Sequence, residues 1–214
     1  AMKAAFAAIK PGMHEYEIAA VAAHAVHAGG GEQGIYLCSS TPGSDPLGQA
    51  AWQANRHLQN RVLREGDVFT LLVETNGPGA MYTELGRSCV LGTAPQELKD
   101  DLEVVLEARR RTLNLLKPGA SCKDIWNAHN QFMRQRGKPE EQRLYCHGQG
   151  YDLVERPLVR FDEPMLIQRN MNITCHPNYV TKRFFNSITD NYLIGDNGVV
   201  EHLHQFPEEI VELG

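Results

Sequence analysis

Residues 66–91 read GDVFTLLVETNGPGAMYTELGRSCVL, and the interpretation of the whole chain depends on this stretch. An apolar run from Val68 to Val73, a turn rich in Gly and Pro and a second run from Tyr82 to Leu91 form the pattern of a β-hairpin. Each arm carries a glutamate, Glu74 and Glu84, where a half-buried strand ordinarily places an apolar residue. Two facing carboxylates repel unless a cation, a shared proton or a positively charged group lies between them. The hairpin therefore indicates a site.

The composition is that of an ordinary globular protein. The 214 residues are 42% hydrophobic and 22% charged, and we expect a single domain over 1–214. The net charge of −5 provides no basic surface for nucleic acid. No apolar run reaches the ~20 residues of a membrane span, and no signal peptide is recognisable. The five cysteines form no CxxC pair and are expected to be reduced. These features predict a cytoplasmic protein that binds neither nucleic acid nor membrane.

The helices are indicated by apolar residues at helical spacing. The clearest runs from Glu97 to Leu116, and the charge run 109–111 within it is interpreted as its solvent-exposed face. Another is expected over Cys122–Gln135. Near the start of the chain, residues 1–9 resemble the last turns of a truncated helix, so an N-terminal domain is expected to be missing. A strand followed by a pocket-lining loop is expected over 35–48.

The chain repeats itself. KPGMHEYEIAAVAAH, from Lys10, and KPGASCKDIWNAH, from Lys117, share Lys-Pro-Gly, an acid followed by Ile and an amphipathic helix. Each copy is preceded by a helix and followed by a hairpin. The second hairpin is expected over Met165–Thr181 and Phe184–Gly198, with an Asp-Asn-Gly turn at 196–198. The duplication predicts two α+β halves related by a pseudo-two-fold axis, with a site where the hairpins face each other.

Two histidines in the second half complete a candidate cleft. His147 stands at the head of a His-Gly-Gln-Gly run, where glycines allow close backbone approach. Residues 171–176 alternate, so that His176 shares a face with polar side chains. By the duplication, His176 is the counterpart of Glu74. Burial alone does not favour two glutamates and two histidines together, because each costs several kcal/mol unless paired. We therefore expect Glu74, Glu84, His147 and His176 to form one catalytic cleft.

Several of these motifs, in this order, resemble the catalytic domain of the creatinase/aminopeptidase P/methionine aminopeptidase family. The resemblance covers nearly the whole chain and implies the pita-bread fold, an α+β fold with a curved antiparallel sheet, outer helices and internal pseudo-symmetry. It also implies a hydrolase of peptide, amide or amidine C–N bonds, acting on a small molecule or short peptide as a homodimer. The motifs are IKPGMHE, LREGDVFTLLVETNG, YTELGRS, HGQGYDLVERP, MNITCHPNY and the closing Asp-Asn-Gly.

The ligand positions depart from the family pattern. The metallopeptidases that the chain resembles bind two divalent metals with Asp, Asp, His, Glu and Glu. Here the two Asp positions carry Glu74 and Glu84, the His is kept as His147, and the Glu positions carry His176 and Thr189.

Charge counting limits the number of metals. Four carboxylates balance two divalent cations, whereas Glu74 and Glu84 balance one. Glu74, Glu84, His147 and His176 are therefore the candidate ligands of at most one ion. Asp190 follows Thr189, but strand alternation turns it to the other face unless a bulge intervenes. A two-metal site is therefore not expected.

Neighbouring residues of the cleft are candidates for binding substrate. The family's second pocket histidine corresponds to Val154, which precedes Glu155 and Arg156. We expect Arg156, Glu155, Arg87 and Arg160 to contact the substrate, since a guanidinium pairs with a substrate carboxylate.

Three chemistries are compatible with this cleft. Glu84, His147 and His176 form a two-His, one-carboxylate set that suits one ion of zinc, iron or manganese and activates a water. Creatinase, which the chain also resembles, works without metal, so that a histidine acts as base beside Glu74 or Glu84. Some members of the fold have lost catalysis and bind a peptide or protein partner. The hydrolase is the expected function, and an inactive binding module is the alternative.

Overall fold

The computed structural model describes residues 1–44 and 60–214, and confirms the α+β class. The described ranges contain four helices: α1 Met2–Ala8, α2 Glu15–Ala28, α3 Gln96–Leu115 and α4 Cys122–Gln135. The strands in the same ranges are β1 Gly34–Pro42, β2 Asp67–Asn76, β3 Tyr82–Leu91, β4 Cys146–Gly148, β5 Glu155–Leu158, β6 Asn172–Cys175, β7 Asn178–Val180, β8 Phe185–Ser187, β9 Asp190–Ile194, β10 Val199–His202 and β11 Val211–Leu213. None of these helices is long and apolar enough to cross a bilayer.

The first half packs α1 and α2 on a four-stranded sheet ordered β1-β2-β3-β11. The predicted hairpin is confirmed as β2 and β3, whose register places Glu74 directly opposite Glu84. The strand β1 is longer than the expected segment, because pairing with β2 continues to Pro42. Of the loop expected after it, residues 45–48 lie outside the described residues. The core of this half contains Phe6, Ile18, Ala22, Leu63, Phe69 and Leu71.

The second half packs α3 and α4 on a five-stranded sheet ordered β10-β9-β6-β4-β5, with β7 and β8 paired beside it. The expected second hairpin is present with shorter arms, β6 to β7 and β8 to β9. Its predicted turn at 196–198 instead joins β9 to β10. Apolar side chains from β6, β9 and α4 share one core, which includes Ile125, Trp126, Tyr145, Ile173 and Ile194.

The Lys-Pro-Gly repeats have the same backbone geometry. Gly12 and Gly119 both take the left-handed conformation, with φ of +94° and +86°, which costs glycine no steric penalty. The amide of Gly12 donates to the carbonyl of Leu63 at 2.9 Å, and the amide of Gly119 donates to that of Ile167 at 2.8 Å. The duplication predicted from the sequence is therefore a structural one.

The halves meet where β3 passes the start of β9. Gly86 and Thr189 exchange both backbone hydrogen bonds, at 3.1 and 3.2 Å. A Cβ on Gly86 would lie 2.7 Å from the Thr189 Oγ1, so only glycine allows the strands to come this close. Beside this bridge the buried carboxylate of Asp190 binds the guanidinium groups of Arg87, at 2.8 Å, and Arg109, at 2.6 Å.

The interpretation of residues 109–111 as a solvent-exposed face is wrong for its first member. Arg109 is buried, because the side of α3 that carries it faces Asp190 and Glu208. Arg110 and Arg111 are exposed, as expected.

Candidate metal centre

Three of the four predicted site residues converge at the junction of the halves. Glu84 lies on β3, His147 on β4, and His176 directly after β6. Each offers a ligand atom, and the three atoms lie within 4.8 Å of one another. Glu84 and His147 are buried and His176 is half-buried. Sheets from both halves thus supply one cluster, as the duplication predicts.

The hydrogen bonding of His147 defines its tautomer. The Nδ1 atom lies 2.8 Å from the carbonyl oxygen of Gly148. Because a carbonyl only accepts, Nδ1 carries the proton and Nε2 of the neutral ring carries a lone pair. Burial lowers the pKa of His147 below its usual value, and the bond to Gly148 offsets this only in part. The ring is therefore held neutral, with Nε2 as the ligating or basic atom.

The Nε2 atom of His147 faces a carboxylate oxygen. It lies 3.9 Å from the Glu84 Oε2, and the ring of His176 stands edge-on to it with centroids 5.2 Å apart. The hydroxyl of Thr174 also points to the Glu84 Oε2, at 3.4 Å. Two facing lone-pair atoms repel in a buried place unless a cation or a donor bridges them. The three side chains fit a single divalent cation of the two-His, one-carboxylate kind.

Glu74 has a different setting, although it is the cross-strand neighbour of Glu84. Its Oε1 accepts a hydrogen bond from the Gln149 Nε2 at 2.7 Å. The Oε1 of Gln149 in turn accepts from the Asn191 Nδ2 at 2.8 Å. The Oδ1 of Asn191 accepts from the backbone amide of Glu84 at 2.6 Å. A chain of two amides therefore connects Glu74 to the backbone of Glu84.

Thr189, directly before β9, and Asp190, its first residue, point to opposite sides as strand alternation predicts. Thr189 is fully buried, and its Oγ1 has no hydrogen-bond partner among the described residues. Asp190 faces the opposite side of the strand and binds Arg87 and Arg109. A hydroxyl, not a carboxylate, thus stands at the position where the family resemblance implies the last glutamate. Thr189 therefore offers no carboxylate for a second ion.

The expected substrate-binding residues have other partners. All five N–H groups of Arg87 are engaged, by Asp190 and by backbone carbonyls including those of Pro207 and Thr189. Arg87 is also only 1% exposed, so the contacts that the structure shows for it are structural ones, and its contact with a substrate carboxylate stays a prediction.

The other candidates lie at the surface of the β4–β5 region. Arg156 pairs with Glu163, and Arg160 pairs with Asp162 at 3.1 Å. Glu155 accepts from the amide of Asp152 at 2.9 Å, and Val154 is 51% exposed. The structure brings none of these four side chains into the metal-ligand cluster of Glu84, His147 and His176.

Sequence reasoning missed the polar residues that hold the cleft. Thr174 shares the predicted polar face with His176, so alternation could have identified it. Gln149 lies within the quoted His-Gly-Gln-Gly run, but its partner Glu74 is 75 residues away. No sequence pattern identifies Asn191 as a residue of the site, because its position there depends on the pairing of β6 with β9.

A second acid and histidine group was also not foreseen. Asp190, His202 and Glu208 bring ligand atoms together within 4.8 Å. Arg87 and Arg109 already balance the charge of the Asp190 carboxylate. We therefore interpret this group as an ion-pair network that fastens the C-terminal segment to the junction.

Comparisons with known proteins agree with this architecture. The profile described as "Metallopeptidase family M24" matches residues 1–201. The chain is 25% identical over 207 residues to the Xaa-Pro dipeptidase of Pyrococcus furiosus, covering 92% of this chain and 56% of that protein. It is 24% identical over 206 residues to a probable dipeptidase PepE of Mycobacterium tuberculosis, covering 94% and 52%. The chain thus spans about half the length of these curated relatives.

Solved structures show the same fold. The X-Pro aminopeptidase from Thermotoga maritima superimposes with a TM-score of 0.88 at 23% identity, covering 99% of this chain and 59% of that one. The prolidase from Pyrococcus furiosus superimposes with a TM-score of 0.82 at 22% identity, covering 96% of this chain and 60% of that one. The predicted pita-bread fold is confirmed. By its fold and by the profile match over residues 1–201, the chain belongs to metallopeptidase family M24.

Proposed function

We propose that the chain is the catalytic part of a hydrolase that cleaves a peptide or related C–N bond in a small substrate, with at most one divalent metal. The observation that carries the proposal is the cluster of Glu84, His147 and His176, in which the His147 Nε2 faces the Glu84 carboxylate at 3.9 Å. Glu84, His147 and His176 would hold the ion. The relatives' names, which specify Xaa-Pro dipeptides, support small peptides as the first substrates to test.

The proposed chemistry divides between the metal and the chain. When bound, a divalent ion supplies Lewis-acid polarisation of the scissile carbonyl. In our proposal, the carboxylate of Glu74 takes the proton of the attacking water. As the C–N bond breaks, this proton passes to the leaving nitrogen. The Gly148 carbonyl holds the proton of the neutral His147 ring on Nδ1, so that Nε2 is the atom offered to the ion.

Metal content and turnover test the proposal together. Protein purified after growth with zinc, iron or manganese should contain at most one such ion per chain by elemental analysis. It should hydrolyse members of a panel of short peptides that includes Xaa-Pro dipeptides. Two ions per chain at full occupancy would overturn the proposed ligand set.

A matched pair of variants locates the activity. His147→Ala should lose at least about 100-fold in kcat/KM while its circular dichroism and unfolding midpoint stay close to those of the parent. His24→Ala, on the exposed side of α2, should behave like the parent. Activity that survives His147→Ala would place the reaction elsewhere.

The alternative, an inactive domain that binds a peptide or protein, predicts a different result. Such a chain would bind peptides in calorimetry but release no product from any amide or peptide, with or without added metal. The homodimer expected from the resemblance stays a prediction, which light scattering of the full protein checks.

A further inference from the structure

We propose that Gln149 is a positioning residue that keeps Glu74 out of the ligand shell of the metal. The inference rests on the proposed function, because it requires an ion on Glu84, His147 and His176. It assigns to Glu74 a separate role, as the carboxylate beside the metal and not as a ligand.

Glu74 is close enough to the proposed ion to need such a restraint. The β2–β3 register places it directly opposite Glu84, and side chains of directly opposed residues have Cβ atoms about 5 Å apart. Both carboxylates are buried. A buried carboxylate next to a divalent cation is expected to join its ligand shell unless another interaction holds it.

The amide of Gln149 supplies that interaction, with an orientation that its other contacts fix. Its Nε2 donates to the Glu74 Oε1 at 2.7 Å and to the carbonyl of Leu153 at 3.0 Å. Its Oε1 accepts from the Asn191 Nδ2 at 2.8 Å. A flipped amide would place oxygen against oxygen at Glu74 and at Leu153 and nitrogen against nitrogen at Asn191. The donor is therefore held toward Glu74.

The orientation of Asn191 is fixed as well. Its Oδ1 accepts from the amide of Glu84 at 2.6 Å, and its Nδ2 also donates to the Asn172 Oδ1 at 3.0 Å. The position of Glu84 and the position of Glu74 are thus set by one amide chain. This connection gives the two carboxylates different environments although the hairpin places them side by side.

Cobalt binding tests the role of Gln149 without reference to turnover. Metal-free protein is titrated with Co²⁺, and the visible absorption reports the number and type of ligands. The parent should bind one Co²⁺, and Glu74→Gln should leave the band positions and intensity unchanged. Gln149→Ala should release Glu74 to the metal, which lowers the band intensity and tightens Co²⁺ binding by about tenfold.

The double variant Glu74→Gln/Gln149→Ala is the control. It should restore the parent spectrum, because the released side chain is no longer a carboxylate. A merely structural effect of Gln149→Ala would persist in the double variant and would overturn the proposal. If Gln149→Ala does not fold, the Co²⁺ spectrum of Glu74→Gln tests the proposal by itself. A spectrum that differs from that of the parent would show that Glu74 is already a ligand and would overturn the proposal.

Failure of the proposed function gives a different result. A parent protein that binds no Co²⁺ would overturn both the metal and the role of Gln149. A parent that binds one Co²⁺ with a spectrum sensitive to Glu74→Gln would overturn the role of Gln149 alone.

Discussion

The two halves of the chain share a backbone plan and carry different chemistry on it. In the first half, the central hairpin places Glu74 and Glu84 opposite each other. In the second half, the corresponding hairpin carries His176 toward Glu84 and His147, whereas Asp190 binds Arg87 and Arg109 instead of joining that cluster. The comparison shows that a duplicated fold fixes where side chains meet but leaves each half free to change what they are. In the candidate site, the first half supplies carboxylates and the second half supplies imidazoles and hydroxyls.

The largest expected effect comes from breaking the buried charge network around Asp190, a residue of the second half. Asp190→Ala leaves the buried Arg87 and Arg109 without their shared carboxylate, and we expect a loss of about 3–5 kcal/mol in the free energy of unfolding. Urea denaturation measures it. Asp196→Ala is the matched control, because its pair with Arg169 is exposed and should contribute about 1 kcal/mol or less. Equal losses in both variants would contradict the network.

The next largest effect is expected when one proposed metal ligand is removed from each half. Glu84→Gln in the first half and His176→Ala in the second should each weaken Zn²⁺ affinity at least about 100-fold, since even residues that only orient ligands contribute about 10–100-fold. Competition with a coloured chelator measures the affinity. If one variant binds Zn²⁺ as tightly as the parent, the ion is held by one half alone. That result would contradict the proposal that both halves supply ligands.

A smaller effect tests the duplication itself. Gly12→Ala and Gly119→Ala should each destabilise the protein by about 1–2 kcal/mol, because both glycines have positive φ and open space around them. Gly77→Ala, where a Cβ also meets open space but φ is not positive, should be close to neutral. Very different losses at Gly12 and Gly119 would show that the repeats are alike in geometry but not in strain.

The smallest expected effect depends on pH. The Arg156 guanidinium, with the amides of Leu158 and Met165, lowers the pKa of Glu163 to about 2. Because the folded-state pKa lies below the unfolded one, this pair stabilises the protein at neutral pH, and the contribution is lost as the pH falls from about 4.5 to about 2. Urea midpoints at pH 6 and pH 3 should therefore differ less in Glu163→Gln than in the parent. If the difference between the two midpoints is the same in Glu163→Gln and in the parent, the Glu163 carboxylate is not the source of this pH dependence.

Much of the fold was accessible from the sequence, because it depends on local patterns. An apolar run, a turn rich in Gly and Pro and a returning run predicted β2 and β3, and the two Lys-Pro-Gly repeats predicted the duplicated halves. The polar face of β6 placed His176 correctly for the same reason. The turn at 196–198 was recognised, but the strands that it joins were not, since a turn sequence does not specify which arms it connects.

The failures concern contacts between residues far apart in the chain. Arg109 looked like part of a solvated charge run, yet it binds Asp190, 81 residues away. Arg87 was expected to contact substrate, yet four of its five N–H groups donate to partners at least 102 residues away in the chain. Gln149 and Asn191 are amides without a periodic signal, and only the folded sheets show that they connect the two glutamates.

The two backbone hydrogen bonds between Gly86 and Thr189 allow the separation of the halves to be measured. Each residue donates its backbone N–H to the carbonyl of the other, across the line where the two sheets meet. Hydrogen exchange at these two amides therefore measures separation of the sheets, whereas exchange inside β2 or β9 measures unfolding of one half. If the bridge amides exchange faster than those inside either sheet, the two halves separate before either unfolds. That separation would also move Glu84 of the first half away from His147 and His176 of the second.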